Sequence, residues 1–348
     1  MKRIQKLQKQ VKKLKLSAIL ISKPENVRYL CGFTGTNGKL FITPKKATLI
    51  TDFRYFVTAR KLGLDYYDRK DGYGKLISKY KTVGFEAHHI TVSRLKYLKK
   101  AVSGVKFKPA PYLVEEMRMI KDSSEIKIMK KAIKMADECF KKFVKTIKVG
   151  QSEDDMEWNL HTIARKLGAE DFSFPPIICF GKNTADVHHQ KEANRLKKGE
   201  KILIDFGIKY KEYCTDMTRV LYLDKRDMTK AEQKIYSIVL RANQEAISAI
   251  KVGKKLSEID RAARSVIEEA GYGEFFGHST GHGVGLKIHE LPHVSEKSDG
   301  VVKPGMVFTI EPGIYIDGKG GVRLEDMIYV NEKGKVEVLT KIPKSRKL

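Results

Sequence analysis

The sequence predicts an α/β protein, in which a small α/β domain over residues 1–118 precedes an α+β domain over residues 119–348 with a pseudo-two-fold repeat. Three observations support this prediction. Short apolar runs alternate with helical segments in the first third of the chain, which is typical of an α/β domain. Long amphipathic helices follow residue 122. The segment "IKVG" occurs at residues 147–150 and again at 250–253, and a helix start signal follows each copy.

The first domain begins with a predicted helix from Lys2 to Leu16, because apolar residues recur at helical spacing and lysines take the other positions. The apolar positions are Ile4, Leu7, Val11 and Leu14. A short strand and a proline-containing turn follow in "SAILISKPENVRYL". Two apolar runs around residues 44–46 predict a hairpin, and "TVGFE" at residues 82–86 predicts a further buried strand.

Capped helices are predicted along the second domain. Asp122, Ser123 and Ser124 are cap candidates for the first of them, which presents an apolar face. Three later helices begin with a capping box, in which two side chains three positions apart satisfy each other's backbone N–H groups. The predicted boxes are Ser152 with Asp155, Thr229 with Glu232, and Ser257 with Asp260, and Gly168 and Gly271 end two of these helices.

The internal repeat supplies two carboxylates in each half of the second domain. "LIDFGIKY" at residues 203–210 corresponds to "FTIEPGIYI" at residues 308–316, and in both an acid ends an apolar run before Gly-Ile. A second acid comes later in each half: Asp216 follows Asp205, and Glu325 follows Glu311. Two such halves related by a pseudo-two-fold axis would bring the four acids together near that axis.

Four neighbouring carboxylates at the edge of a core cannot all ionise without compensation. They could pair with arginine or lysine, share protons, or hold cations. Each half offers one local arginine, Arg219 or Arg323, whereas two divalent cations would cancel four negative charges. The sequence therefore predicts a metal centre.

Histidines complete the predicted centre. His278, His282, His289 and His293 fall within sixteen residues, and glycines at 281, 283 and 285 surround His282. Carboxylate and imidazole ligands favour Mn²⁺, Co²⁺, Fe²⁺ or Zn²⁺ over ions that prefer thiolates. Two such ions can share a water molecule, lower its pKa and polarise a carbonyl, which indicates a hydrolase. The competing use, a dinuclear redox centre, is more often built from Glu-x-x-His pairs in a helical bundle, whereas the candidate ligands here lie at predicted strand ends and in a glycine-rich segment.

Composition and charge indicate where the protein acts and which partners it has. No apolar run approaches the ~18 to 20 residues that span a bilayer, and the basic N-terminus lacks an apolar signal segment, so we expect a cytoplasmic protein with no membrane partner. The cysteines are dispersed, which indicates reduced thiols rather than a zinc ribbon or a disulfide framework; they are Cys31, Cys139, Cys179 and Cys214. The net charge of +26 invites a nucleic-acid partner. A lysine-rich surface is the favoured interpretation, because the lysines are not gathered in one tail and no aromatic-rich RNA motif is present.

The ordered motifs resemble those of the pita-bread dinuclear metallopeptidases, specifically the prolidase and Xaa-Pro aminopeptidase branch. "PENVRYLCGFTG" and "TDFRYFVTA" are similar to the creatinase/prolidase N-terminal domain, and "RMIKDSSEIKIMKKA" to the family's linker helix. "DFGIKYKEYCTDMTR", "GHGVGLKIHELP", "TIEPGIYI" and "GGVRLED" then follow in the family's order. The resemblance implies a creatinase-type domain over residues 1–118, a pita-bread catalytic domain over residues 119–348, and assembly as a homodimer.

The resemblance also implies the roles of individual residues. Five residues would ligate two divalent ions per subunit, with Mn²⁺ or Co²⁺ favoured and Zn²⁺ or Fe²⁺ also suitable: Asp205, Asp216, His282, Glu311 and Glu325. Asp216 and Glu325 would bridge the ions, and Glu311 would also carry a proton. His188, preferred to its neighbour His189, and His289 would bind substrate and stabilise the tetrahedral intermediate. Arg323 would orient Glu325 or bind a charge on the substrate, and His278 would support its neighbours.

The implied activity is hydrolysis of the Xaa-Pro bond at the N-terminus of dipeptides or short peptides, by a dipeptidase (prolidase). One departure concerns His293, which stands where many dipeptide-specific members carry an arginine for the product carboxylate. Imidazole is a weaker carboxylate partner than guanidinium, so an Xaa-Pro aminopeptidase acting on longer peptides stays open. The N-terminal domain disfavours a methionine aminopeptidase. The five retained ligand candidates disfavour both creatinase and a non-enzymatic adaptor that binds RNA or protein.

Overall fold

The computed structural model describes residues 2–224 and 227–344, and the chain forms two compact units, one ending at Arg118 and the other beginning at Met119. Helices and strands alternate in the first unit. In chain order they are α1 (Lys2–Lys13), β1 (Ala18–Ile21), α2 (Pro24–Cys31), β2 (Lys39–Ile42), β3 (Ala47–Thr51), α3 (Phe56–Lys61), β4 (Asp65–Asp68), α4 (Gly72–Ile77), β5 (Thr82–Phe85), α5 (Val92–Ala101), β6 (Lys106–Pro109) and α6 (Leu113–Met119).

The strands of the first unit form one mixed sheet in the order β4-β3-β2-β1-β5-β6. The predicted hairpin is confirmed, because β2 and β3 pair antiparallel with Ile42 opposite Ala47. The predicted strand at residues 82–86 is β5, which pairs parallel with β1. One face of the sheet packs against α4 and α5, where Tyr73, Ile77 and Leu98 are buried.

The first helix is shorter than the spacing predicts. It ends at Lys13 rather than at Leu16, because the backbone turns at Lys15, which has a φ of 53°. Leu14 is consequently exposed, whereas Leu16 turns back into the core. The other predicted apolar positions of α1 are buried as expected.

The second unit continues with longer helices and several small sheets. Its elements are α7 (Ser123–Phe143), α8 (Glu153–Leu167), β7 (Asp171–Phe172), β8 (Ile177–Phe180), β9 (Lys201–Phe206), β10 (Ile208–Tyr210), β11 (Tyr213–Cys214), β12 (Met217–Tyr222), α9 (Lys230–Ala249), α10 (Leu256–Glu269), β13 (Gly281–Gly283), β14 (Glu290–Val294), β15 (Val307–Ile310), β16 (Gly313–Ile316), β17 (Gly320–Arg323), β18 (Asp326–Val330) and β19 (Val336–Val338).

The two halves of the second unit repeat one arrangement. In the first half, α7 and α8 precede the antiparallel pair β9/β12, and in the second half α9 and α10 precede the antiparallel pair β15/β18. A shorter antiparallel pair lies between the strands of each long pair: β10/β11 in one half and β16/β17 in the other. The sequence repeat therefore corresponds to a repeat of structure. Apolar residues from β9, β12, β15 and β18 join those of α9 and α10 in one core.

Most of the predicted helix starts in the second unit are confirmed. Asp122 caps α7 in a box with Glu125, and the predicted boxes of α8 and α9 are present. The box predicted for Ser257 with Asp260 is wrong, because α10 begins at Leu256 and its cap position, Lys255, makes no side-chain cap bond. Asp260 is instead buried, and it accepts hydrogen bonds from the backbone N–H and the hydroxyl of Thr280, at 3.1 and 2.7 Å.

Two predictions from composition concern the chain as a whole. All four cysteines are free thiols, and three of them are buried. Over residues 2–224 and 227–344, no helix combines the length and apolar composition that crossing a membrane requires.

Candidate metal centre

The pairing of strands explains how distant acids meet. Asp205 lies near the end of β9, opposite Thr218 of β12, and Asp216 immediately precedes β12. In the other half, Glu311 directly follows β15 and Glu325 directly precedes β18. Each half thus presents two carboxylates where a strand pair opens, and all four line one cavity of ≈ 680 Å³ together with His282.

His282 lies among the acids of both halves. Its Nε2 is 3.4 Å from Oδ2 of Asp216 and 3.4 Å from Oε1 of Glu311. Ligand atoms of Asp216, His282 and Glu325 all lie within 4.8 Å of one another. These distances suit a common cation between them.

The backbone around His282 is tightly packed, which explains its flanking glycines. A Cβ at Gly281 would lie 1.9 Å from the carbonyl oxygen of Thr309, and one at Gly283 would lie 2.1 Å from that of Leu291. Only glycine permits so close an approach of two backbones. The glycines therefore allow β13 to bring His282 against β14 and β15.

Hydrogen bonding selects the tautomer of His282. Its Nδ1–H donates to the carbonyl oxygen of Gly283 at 3.2 Å, which leaves Nε2 unprotonated and facing the carboxylates. Burial, followed by the proximity of His289, lowers the pKa of His282 to about 3. A neutral imidazole with its free nitrogen towards acids is the form that binds a metal.

The carboxylates themselves are under electrostatic strain. Burial raises the pKa of Asp216 well above its ordinary value, and Glu325, Asp205 and Glu311 raise it further. The pKa of Glu325 is raised for the same reasons, with burial again the largest. Burial raises the pKa of Glu311 to about 8, although Arg323 opposes that shift. Without cations, the cluster must therefore retain protons at neutral pH.

The oxygen atoms of the cluster fit a divalent cation. Among the described residues, Oδ1 of Asp205 and Oε1 of Glu325 are buried without a hydrogen-bond partner. A buried carboxylate oxygen that lacks a partner costs free energy, and a bound cation would remove that cost. Carboxylate oxygens with one imidazole nitrogen form a donor set suited to divalent first-row metals.

Arg323 orients two of the acids. Its guanidinium donates to Oδ2 of Asp205 at 2.6 Å, to the hydroxyl of Tyr315 at 3.1 Å and to that of Thr218 at 3.2 Å. The Thr218 hydroxyl in turn donates to Oε2 of Glu325 at 2.8 Å. Arg323 is buried and engaged at all three of these groups, so its geometry favours orientation of the acids over binding of a substrate charge.

Two residues of this network, Tyr315 and Thr218, were missed by sequence reasoning. The Nδ1–H of His278 donates to the carbonyl oxygen of Ser279 at 2.8 Å, so its Nε2 accepts from the Tyr315 hydroxyl at 2.9 Å. His278 thus bonds to Tyr315, which in turn accepts from Arg323, and its supporting role stays a prediction. The sequence signal for Tyr315 was its place in "EPGIYI". An aromatic residue at that place is equally consistent with a core residue and with a residue of the site.

The predicted substrate residues lie around the same cavity. His188 is exposed at its wall, whereas the Nε2 of His189 is buried and bonded to the carboxylate of Glu153 at 3.0 and 3.1 Å. Both histidines line the cavity, but only His188 is exposed, and its role towards substrate stays a prediction. His289 stacks edge-on against His282 at 4.4 Å between ring centroids. His293 lies on β14, directly opposite His282 on β13.

A brace at the start of α7 was also missed by sequence reasoning. Lys121 and Glu290 form a buried ion pair at 2.9 Å, and Glu290 adjoins His289 in the chain. Four residues after Lys121, Glu125 accepts a hydrogen bond of 2.8 Å from the hydroxyl of Tyr213, in the hairpin that leads to Asp216. One short segment thus holds both halves of the centre. Its partners are 88 and 169 residues away, so no local pattern indicates them.

The architecture and the acid-lined cavity define a metal-dependent peptidase, and the chain belongs to metallopeptidase family M24, whose model matches residues 127–332. The model of the creatinase/prolidase N-terminal domain matches residues 3–120. The resemblance and the fold class predicted from the sequence are both confirmed by these matches.

Named relatives are similar over almost their whole length. The Xaa-Pro dipeptidase of Pyrococcus horikoshii is 34% identical over 336 residues, which cover 95% of this chain and 95% of that protein. The solved structure of an Xaa-Pro dipeptidase from Bacillus anthracis is 39% identical, with a TM-score of 0.94 and coverage of 100% and 99%. That of an X-Pro aminopeptidase from Thermotoga maritima MSB8 is 35% identical, with a TM-score of 0.88 and coverage of 97% and 99%.

Replacing Asp216 by asparagine should weaken divalent-metal binding at least tenfold, because a charged ligand candidate is lost from the centre. The metal-free variant should be as stable as the metal-free wild type or more so, since a buried carboxylate is removed. Calorimetric titration with Mn²⁺ and thermal unfolding measure the two effects. Asp317→Asn, in an exposed turn of the same unit, is the matched control. Unchanged Mn²⁺ affinity would remove Asp216 from the centre.

Metal binding at pH 7 should release protons, because the pKa of Glu311 is raised to about 8 in the metal-free protein and those of Asp216 and Glu325 are raised as well. An acid with a raised pKa still holds its proton at pH 7 and must lose it to ligate a cation. The number released should fall as the pH rises beyond 8. Calorimetry in buffers of different ionisation enthalpy counts these protons, and an enthalpy independent of the buffer would contradict the assignment.

Proposed function

We propose that this metallopeptidase hydrolyses the Xaa-Pro peptide bond at the N-terminus of dipeptides and short peptides, as an Xaa-Pro dipeptidase. The observation that carries the proposal is the convergence of four carboxylates and one neutral imidazole in a single cavity. The names of the relatives from Pyrococcus horikoshii and Bacillus anthracis support the choice of substrate.

We propose two divalent ions per subunit, with Mn²⁺ or Co²⁺ favoured and Zn²⁺ or Fe²⁺ also suitable. Asp205, Asp216, His282, Glu311 and Glu325 would hold these ions, with carboxylates contributed by both halves. Four carboxylates match the charge of two divalent cations. When bound, such ions lower the pKa of a water molecule and polarise the peptide carbonyl.

The side chains of the chain then have distinct tasks. Glu311, whose Oε1 lies 3.4 Å from Nε2 of His282, would take up and return a proton at its carboxylate. His289 lies edge-on against His282 beside the centre, and desolvation lowers its pKa, so its neutral ring can donate a hydrogen bond to an oxygen that gains negative charge. His188, exposed on the cavity wall, would hold the substrate in place.

The apolar part of the cavity suits a proline ring. Its wall includes Phe174, Pro175, Pro176, Ile177, Val187 and Ile288. Proline has no backbone N–H and cannot donate a hydrogen bond there. A site that recognises proline therefore relies on apolar contact with its ring. The cavity combines such a wall with a polar centre, as a substrate pocket requires.

The preference for dipeptides or for longer peptides depends on which side chain binds the C-terminal carboxylate of the substrate. Arg323 is engaged by Asp205, Tyr315 and Thr218, whereas His293 is exposed at the cavity. An Xaa-Pro aminopeptidase is therefore the second candidate function, and the name of the Thermotoga maritima relative agrees with it.

The catalytic domain over residues 119–348, the homodimer and the cytoplasmic location stay predictions.

Purified protein supplied with Mn²⁺ or Co²⁺ should hydrolyse Ala-Pro and should leave Ala-Ala nearly intact, with a difference in kcat/KM of at least a hundredfold. Removing the ions with a chelator should abolish turnover, and restoring them should recover it. Liquid chromatography of the released amino acids measures both rates. Equal rates on Ala-Pro and Ala-Ala would refute proline selectivity, and a faster rate on Ala-Pro-Ala than on Ala-Pro would favour the aminopeptidase.

Replacing His293 by arginine should raise the ratio of kcat/KM for Ala-Pro to that for Ala-Pro-Ala about tenfold, because guanidinium pairs with a carboxylate more strongly than imidazole does. Lys287→Arg, exposed two residues before His289, provides the control for an added guanidinium. A ratio that does not change in the His293 variant would show that this position does not contact the carboxylate.

A further inference from the structure

The positive charge of the chain is concentrated in its first unit. Residues 1–118 contain 27 lysines and arginines against 8 acids, a net charge of +19, whereas residues 119–348 carry only +7. The smaller unit therefore holds most of the excess charge, although the acid-rich centre lies entirely in the other unit. Such asymmetry between parts of a chain points to an anionic partner.

Helix α1 displays this charge in an ordered row. Lys2, Lys6, Lys9 and Lys12 are exposed and three or four residues apart, so they form one stripe along the helix. We name these four residues the α1 lysine row. Like charges at this spacing destabilise a helix, and α1 contains no acid that could offset their repulsion. An anionic partner would supply the missing compensation.

The α1 lysine row borders a groove. The groove has a volume of ≈ 380 Å³, and its lining consists of the four lysines with Gln5, Gln8 and Pro44 of the β2–β3 turn. No acidic side chain is part of this lining. Neighbouring lysines are about 4.5–6 Å apart along the helix axis, and the row extends for about 15 Å.

The shape and burial of α1 select among anionic partners. Its apolar stripe, Ile4, Leu7 and Val11, is buried in the unit and is unavailable for insertion into a bilayer. A narrow chain fits into a groove, whereas a flat membrane surface does not. A nucleic-acid strand offers a narrow chain with regularly spaced negative charges, and no aromatic side chain lines the groove to read bases.

We propose that the α1 lysine row binds the sugar-phosphate backbone of single-stranded nucleic acid, without sequence preference. From the sequence alone a nucleic-acid partner is not expected, because the lysines are not gathered in one tail. The distribution between the two units and the acid-free groove are the observations that reverse this expectation. The binding is a function additional to peptide hydrolysis and does not depend on it.

The test measures binding of a fluorescein-labelled dT20 oligonucleotide by anisotropy over a series of KCl concentrations. Each phosphate contact with a single strand contributes about −0.7 to the slope of log K against log salt. Lys6→Glu/Lys9→Glu/Lys12→Glu should therefore weaken binding at least tenfold at low salt and reduce the steepness of that slope by about 2. The wild-type protein and this triple variant should hydrolyse Ala-Pro at equal rates. Loss of oligonucleotide binding is thereby distinguished from loss of the proposed peptidase activity.

Helix α7 provides a matched control. Lys127, Lys134 and Lys141 are exposed on that helix, and their replacement by glutamate changes the net charge by the same amount. This control should weaken binding less than threefold. Equal weakening in the two triple variants would show that only total charge matters and would overturn the proposal. Absence of binding at 50 mM KCl would also overturn it, as would binding to phosphatidylserine vesicles but not to the oligonucleotide.

Discussion

The burial of four carboxylates around one neutral imidazole is the constraint on which the rest of this structure depends. Burial and mutual repulsion raise the pKa of Asp216, Glu311 and Glu325, and the buried Arg323 is engaged directly by Asp205. A cluster of this kind is unfavourable until cations enter it. The free energy that holds it together must therefore come from elsewhere in the second unit, chiefly from the apolar cores beneath the strand pairs.

The repeated architecture meets this constraint by dividing the acids between two halves. Each half supplies two carboxylates at the opening of an antiparallel pair, so neither half alone concentrates more than two charges. The segment at the start of α7 then ties the halves together. Lys121 contacts Glu290 in the second half, and Glu125 contacts Tyr213 in the first. The linker motif thus stabilises the positions of His289 and Asp216 without touching either of them.

The two units have contrasting electrostatics, and this contrast separates their proposed tasks. The second unit gathers acids in its interior, where they would attract divalent cations and where histidines border a partly apolar cavity. The first unit presents lysines on its surface without nearby acids in the α1 groove. Surface charge of this kind is sensitive to salt, whereas a buried centre is screened much less, so the two tasks respond differently to ionic strength.

Local patterns in the sequence determined most of the helices and caps, the β2/β3 hairpin and the repeat that singles out the acids. These features depend on residues close together in the chain, and the boxes at Ser152 and Thr229 formed as the spacing predicts. Chemistry also indicated which side chains could share a cation, because carboxylates at strand ends need compensation. The structure brings all five candidates to one cavity, and their ligand roles stay a proposal.

Only the tertiary structure decided the partners of these residues. The contact of Tyr315 with His278 and Arg323, the pair of Lys121 with Glu290, and the distinction between His188 and His189 arise from packing. Asp260 shows why local reading fails, because it matched a capping box but is buried against Thr280, twenty residues away. A side chain bonds to whichever polar group folding places beside it in a water-poor interior, and sequence distance does not limit that choice.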